Sequence, residues 1–166
     1  MQKVMRFDTL DFLNVGGAEK EEYVLMNGFN KLDESPSAQV DTKGYVHDKA
    51  KSSTITGYEG SFSFESDRIA DDKANKFLFE IGYYQKTGID AETDYIRVDL
   101  SMKEAESAEN EFPARKFRVA VEISDIAGEP QEVQTVSGTL HQCGDFVLGT
   151  FNTETKKFTP KPDAAA

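Results

Sequence analysis

The chain has 166 residues, enough for one domain that buries most of the surface its unfolded form exposes. Its 38% apolar and 11% aromatic content supplies a core and excludes wholesale disorder. Thirty acidic residues against nineteen Lys and Arg give a formal net charge of -11, which works against a grip on nucleic acid, because phosphate binding draws its affinity from clustered cations. That charge is still compatible with DNA passing near a surface that repels it.

No run approaches eighteen apolar residues, so a membrane-spanning helix is excluded. The start, Met1-Gln2-Lys3-Val4-Met5-Arg6-Phe7-Asp8, lacks the apolar block and cleavage site of a secretory signal. A single cysteine, Cys143, cannot form an internal disulfide and suits a reducing compartment.

In chain order, residues 1 to 20 mix Val4, Phe7, Leu10, Phe12, Leu13 and Val15 with charge and end at Gly16-Gly17. They fit either a short strand or an arm packed on the body or on a neighbour. Residues 22 to 26 read as a strand opened by Tyr23, and Asn27-Gly28 is a strong turn signal. Asp33-Glu34-Ser35-Pro36-Ser37 reads as a loop. From residue 38 to 60 the apolar pattern is thin: Val40, Tyr45, Val46 and Ile55 stand among Asp, Lys, Ser, Thr and Gly. A solvated loop or poorly packed hairpin accounts for that pattern. Its length argues for more, since structureless connections above roughly 12 to 15 residues are uncommon unless they bind something or are disordered. Thr54-Ile55-Thr56 with Tyr45 and Tyr58 favours an ordered arm over coil.

Phe62 and Phe64 alternate with Ser61, Ser63 and Glu65, the mark of a strand with one buried face. After a turn at Asp67-Arg68-Ile69-Ala70, Asp71 or Asp72 caps the one convincing helix. Ala74, Phe77, Leu78 and Ile81 form its apolar stripe, Phe79, Tyr83 and Tyr84 widen it, and Thr87-Gly88 stops it. The rest reads as strand. Ile96, Val98 and Leu100 share one face; Phe117, Val119, Val121 and Ile123 share another; residues 132 to 140 and 146 to 151 close the series. Pro113 belongs at a strand start, because it has no N–H for a central ladder. The linker from 103 to 111 is acidic and solvated, and the tail from 156 to 162 is extended with Phe158 as its anchor. Six or seven strands and one helix predict a mainly β fold, a two-sheet β-sandwich or flattened barrel with one flanking α-helix and a long inter-strand arm. Residues 1–166 form a single domain, with 38–60 as the arm and 159–166 as an extended tail.

Chemistry is sparse. His141 and Cys143 are too few for a closed zinc site, and neither His47 nor Asp145 is fixed beside them by a motif. The adjacent carboxylates Asp71-Asp72 and Glu21-Glu22 are explained by helix capping and solubility, and Gly16-Gly17 carries no phosphate-loop frame. No enzyme, metal or cofactor is expected.

Several words occur in a fixed order: Tyr45-Val46-His47-Asp48-Lys49, Ser53-Thr54, Gly57-Tyr58-Glu59, Phe62, Phe64, Asp67, Asp71 and Lys73-Ala74. Gly88-Ile89-Asp90-Ala91, Tyr95-Ile96-Arg97-Val98, Gly138-Thr139-Leu140, Gly144-Asp145 and Gly149-Thr150-Phe151 follow. Over residues 20 to 158 the sequence resembles the major tail proteins, or tail tube proteins, of long-tailed siphophages of Gram-positive bacteria. The resemblance implies a β-sandwich with a flanking helix, six-subunit rings joined through their inner sheets, and stacking of those rings into a tube for DNA ejection. It implies tape measure, tail tip and tail terminator proteins as partners, no membrane, DNA passing without specific binding, and assembly in the host cytoplasm into the virion tail. It makes Tyr45, Lys49, Ile55 and Tyr58 ring-to-ring contacts and leaves the helix stripe as internal support. The lumen residues stay unassigned, and no decoration domain is expected after residue 166. A single-ring tail-completion protein is the first alternative; an exported carbohydrate- or protein-binding sandwich, with Tyr83 and Tyr84 as its weak aromatic site, is the second.

Overall fold

Strand order follows from where the chain alternates and where glycine or a capping carboxylate lets it turn. The computed structural model describes residues 1–162. After a short 3-10 turn at Arg6–Asp8 come β1 (Thr9–Asn14), β2 (Tyr23–Leu25), β3 (Phe29–Ser35), β4 (Ala38–Lys43), β5 (Ser52–Tyr58) and β6 (Ser61–Asp67). Helix α1 (Lys73–Tyr83) precedes β7 (Glu92–Asp99), β8 (Glu111–Ala127), β9 (Thr135–Gln142), β10 (Val147–Asn152) and β11 (Lys157–Pro160).

Nine strands form one antiparallel sheet in the order β2-β1-β7-β8-β9-β6-β3, with the β10–β11 hairpin branching from β8. β4 and β5 make a separate two-stranded sheet. The long β8 is the corner. Its residues 114–120 pair with β7, 111–116 with β10, and 119–127 with β9, so it passes from one layer into the other. Leu13, Tyr95, Phe117 and Val119 from one layer then meet Leu32, Phe62, Phe64, Val136 and Leu140 from the other. Phe62 lies 4.8 Å from the Tyr95 ring and 4.9 Å from Phe117, within the range of favourable aromatic pairs. A second cluster fills the opposite face of β1 and β7: Phe12, Ile96 and Val98 pack with Tyr23, Ala114 and Phe151, and Phe158 and Leu100 close over them. The fold is therefore a flattened β-sandwich with one flanking helix, as the alternation predicts.

Asp72 is the helix cap, accepting from the Asn75 N–H at 2.9 Å. The helix ends at Tyr83, four residues before the predicted Thr87 stop. There the Gln85 N–H donates to the Gly82 carbonyl and the Lys86 N–H to the Ile81 carbonyl, with Gln85 at φ 51°. Those two bonds make a Schellman stop that needs no glycine. Ala74, Leu78 and Ile81 are buried, while Phe77 and Phe79 are half-buried against the first cluster. Gly82 permits the close approach, since a Cβ there would stand 2.7 Å from Ile123 Cγ2.

Other sequence expectations need correction. The described residues hold eleven strands, not six or seven. Residues 33 to 35, read as loop, complete β3, because Leu32 is buried and Glu34 is neutralised by Arg115 and Arg97 from distant strands. Asp67 ends β6 instead of opening a turn, Glu111 starts β8, and the closing strand begins at Thr135 instead of 132. The predicted extended tail is strand β11 over residues 157–160, paired with β10. Its last four residues, 163–166, lie outside the described residues.

Candidate assembly interface

The hairpin β4–β5 leaves the body between β3 and β6. Ser37, at φ 51°, turns the chain, and its carbonyl accepts from the Glu59 N–H at 3.1 Å. Register pairs Ala38 with Tyr58, Val40 with Ile55 and Thr42 with Ser53, with a bulge between Gln39 and Val40. Residues opposite each other project to the same side. One face therefore carries Ala38, Val40, Ile55 and Tyr58, and the other Gln39, Asp41, Lys43, Ser52 and Thr54. The Thr42–Ser53 hydroxyl contact of 2.9 Å extends the first face toward the tip. At the tip the Tyr45 N–H donates to Asp48 Oδ2 at 3.0 Å, and the Asp48 N–H returns to the Tyr45 carbonyl.

Every residue of both strands is exposed except half-buried Gly57. Val40 is 58% exposed, Ile55 51% and Tyr58 67%. A lone hairpin of this size is marginal in water, and its apolar face lacks a partner among the described residues. Of the four residues singled out from the sequence, Ile55 and Tyr58 share this face, while Tyr45 and Lys49 lie in the tip. Val40 and Val46, the latter 95% exposed, were not among them. The alternation of Ala38 and Val40 was the available signal.

A second surface is built by the layer β3-β6-β9 and the C-terminal half of β8. Its inward side carries Leu32, Phe62, Phe64, Val136 and Leu140. Register puts Lys31, Asp33 and Ser35, then Ser61, Ser63, Glu65 and Asp67, on the outward side. Thr135, Ser137, Thr139 and His141 continue it, followed by Glu122 and Asp125 on β8, whose register shifts between Ile123 and Asp125. Five carboxylates against one lysine and one histidine make this a hydroxyl-rich, acidic plane. Both its lateral edges are open among the described residues: β3 pairs only with β6, and β8 beyond residue 120 pairs only with β9. The bulge keeps Gly138 against β8, where a Cβ would fall 1.9 Å from the Glu122 carbonyl.

The two layers are tied by ion pairs that are partly shielded from solvent. Arg115 makes a forked pair with Glu34, 2.9 Å from Nη1 to Oε2 and 2.5 Å from Nη2 to Oε1, and Arg97 Nε stands 3.8 Å from the same carboxylate. Burial pushes the Glu34 pKa up, but the Arg115 hydrogen bonds and the charges of Arg115 and Arg97 outweigh it and leave it lowered. Asp11 accepts from Tyr95 Oη and, at 2.6 Å, from Arg6 Nη2. Burial first, then the Asp11 charge, raises the Tyr95 pKa, so the phenol stays protonated and donates.

The chemistry candidates do not converge. His141 Nε2 sits 3.0 Å from Glu122 Oε2 on an exposed face. Burial, then Glu92, pushes the Cys143 thiol up, away from the reactive thiolate. Glu21 pairs with Lys116 at 3.2 Å and Glu22 with Lys73 at 2.5 Å. Among the described residues no group of three or more His, Cys, Asp or Glu is placed to hold a metal. Tyr83 and Tyr84 pack edge to face with each other at 5.0 Å and stand exposed at the helix end.

No protein-family model matches the chain, and no curated protein matches it either. Solved structures do. One similar chain belongs to the tail of an empty gene transfer agent particle determined with C6 symmetry: TM-score 0.63 at 10% identity, covering 87% of this chain and 97% of that one. Another belongs to the virion of a native gene transfer agent particle, with TM-score 0.62 at 10% identity over 88% and 98%. At that identity the likeness is one of fold: the chain has the β-sandwich fold of chains found in gene transfer agent particles.

Proposed function

We propose that the chain is a structural tail-tube subunit whose copies form six-membered rings that stack into a channel for DNA during ejection. The observation that carries this reading is the four-stranded layer with an acidic outer face and two open edges. A strand edge presents a row of unpaired backbone groups that seeks another strand, and closing a circle removes every such edge. Pairing β3 of one copy with β8 of the next repeats a heterologous contact, which closes a ring when the rotation permits. Six such layers give a circumference of about 115 Å and a diameter of about 37 Å at about 4.8 Å per strand, room for a duplex inside side chains.

In that ring the face bearing Asp33, Glu65, Asp67, Glu122 and Asp125 lines the bore. Carboxylates and hydroxyls there repel the phosphate backbone and offer no cationic site to arrest it. The β4–β5 hairpin is the inter-ring arm, with Ile55 and Tyr58 burying its apolar face and Tyr45 and Lys49 leading. Helix α1 supports the body from outside. The resemblance to siphophage major tail proteins supports a location in the virion tail, with tape measure, tail tip and terminator proteins as the proposed partners and the host cytoplasm as the proposed place of assembly. No catalytic step is assigned.

Electron microscopy of the purified chain at rising concentration, with and without tail-tip seeds, tests this. Rings or tubes with a sheet-lined bore are expected, and quantification in particles should find many rings per tail. One ring per tail would indicate a completion protein; absence from the particle would refute a tail role.

A further inference from the structure

Resting on that reading, we infer that Arg6 is a latch holding the β3 edge closed in the free subunit, to be displaced when a second copy pairs there. The Arg6 guanidinium spans three acceptors. Nη1 donates to the Thr9 carbonyl at 2.9 Å; Nη2 donates to Asp11 Oδ2 at 2.6 Å and to the Leu32 carbonyl at 3.2 Å. Leu32 lies at the middle of β3, and the guanidinium reaches it from the N-terminal turn, on the side away from β6. A groove of about 470 Å³ runs along that side, lined by Leu10, Met26, Phe29 and Leu32 with Arg6 across it.

An incoming strand would lie about 4.8 Å from β3. That space holds the guanidinium, and the Leu32 carbonyl must exchange Arg6 for a backbone N–H. The occupant is a second copy, because the chain carries its own complement: β8 beyond residue 120 has an open edge and no other partner among the described residues. The latch is built to let go. Asp11 keeps the Tyr95 hydroxyl and the Arg97 guanidinium at 4.0 Å when Arg6 leaves, so no buried carboxylate is stranded. The turn that carries Arg6 has little other hold, since Val4, Met5 and Phe7 are all exposed.

The test compares wild type with Arg6→Ala and Arg6→Lys in seeded assembly, read as the threshold concentration for rings or tubes by sedimentation and electron microscopy. Circular dichroism melts monitor folding. Arg6→Ala should lower the threshold about threefold to tenfold, the scale of a partly exposed charge-assisted hydrogen bond, and Arg6→Lys should lie between. A merely structural role would move the threshold the other way, along with the melt. Equal or raised thresholds for Arg6→Ala overturn the latch alone. Failure of wild type and variants alike to form any ring, seeded or not, overturns the ring reading and the latch with it.

Discussion

Replacing Ile55 by Asp isolates the hairpin's contribution to the proposed stacking of rings. Ile55 faces Val40 across the hairpin, and each keeps about half of its surface exposed. Full burial of an aliphatic side chain is worth about 1.5–3 kcal/mol, so covering the remaining half of Ile55 contributes about 1 kcal/mol. Asp loses that and adds the desolvation of an unpaired carboxylate, at least about 1 kcal/mol more. If six hairpins engage per docked ring, the sum is about 12 kcal/mol, and even half of it removes about four decades from the elongation equilibrium. Folding should hardly change, by less than about 0.5 kcal/mol beyond the lost Val40 contact, because the residue is exposed and off the main sheet. Seeded growth followed by sedimentation and by tube length in micrographs is the assay, with Thr54→Asp on the polar face as control. Ile55→Asp tubes of normal length would refute the arm, and so would equal defects in both variants.

Three further outcomes concern the body. Asn75→Ala removes Nδ2 donation to Ser66 Oγ at 3.0 Å and to the Asp67 carbonyl at 2.6 Å, and the Oδ1 acceptor of the Ile69 N–H at 3.0 Å. A loss of about 2–3 kcal/mol, read as a melt lowered by about 5–10 °C, is expected. Gly138→Ala forces a Cβ onto the Glu122 carbonyl and should lower the urea midpoint by at least about 2 kcal/mol equivalent. For Glu34 the folded pKa lies below the ordinary 4.5, so its stabilisation is present above that value and is lost as pH falls through the folded pKa. Wild type should therefore lose more stability than Glu34→Gln between neutral pH and pH below about 4; parallel melting curves for the two would contradict this.

What could be read from the residues was what depends on near neighbours. Ala74, Phe77, Leu78 and Ile81 sit three and four apart, and Phe62 and Phe64 two apart, so each element declares its buried face within one turn or one pleat. Strand β3 did not declare itself, because its only fully buried residue is Leu32 and its charge looks like loop. Half-buried Glu34 is compensated by Arg97 and Arg115, which arrive from strands 63 and 81 positions away, and no local pattern encodes that. The N-terminal segment was ambiguous for the same reason. Residues 9 to 14 join the sheet between β2 and β7, whose sequences lie on either side of the hairpin and the helix. At the candidate interface, Ile55 and Tyr58 were visible as apolar residues without a core. That they share a face with Val40 depends on a bulge, which shifts register by one residue and which only the paired strands reveal.

Charge is distributed so that association and solubility do not compete. Residues 38–58 hold Lys43, Lys49 and Lys51 against Asp41 and Asp48, a formal +1. The whole chain is -11, so the remainder carries -12. Two bodies therefore repel one another beyond contact range, which keeps open strand edges from pairing at random, while the hairpin is a weakly cationic projection that another acidic body does not repel. With a Debye length of about 8 Å at physiological salt, that difference acts only once the hairpin is already close. An arm that extends past its own subunit reaches that distance before the bodies do. In the proposed assembly, apolar burial of Val40, Ile55 and Tyr58 then holds one ring to the next. In the proposed tube that docking sets each incoming copy against a finished ring, so that β3 and β8 of neighbouring copies meet in register instead of aggregating edge to edge.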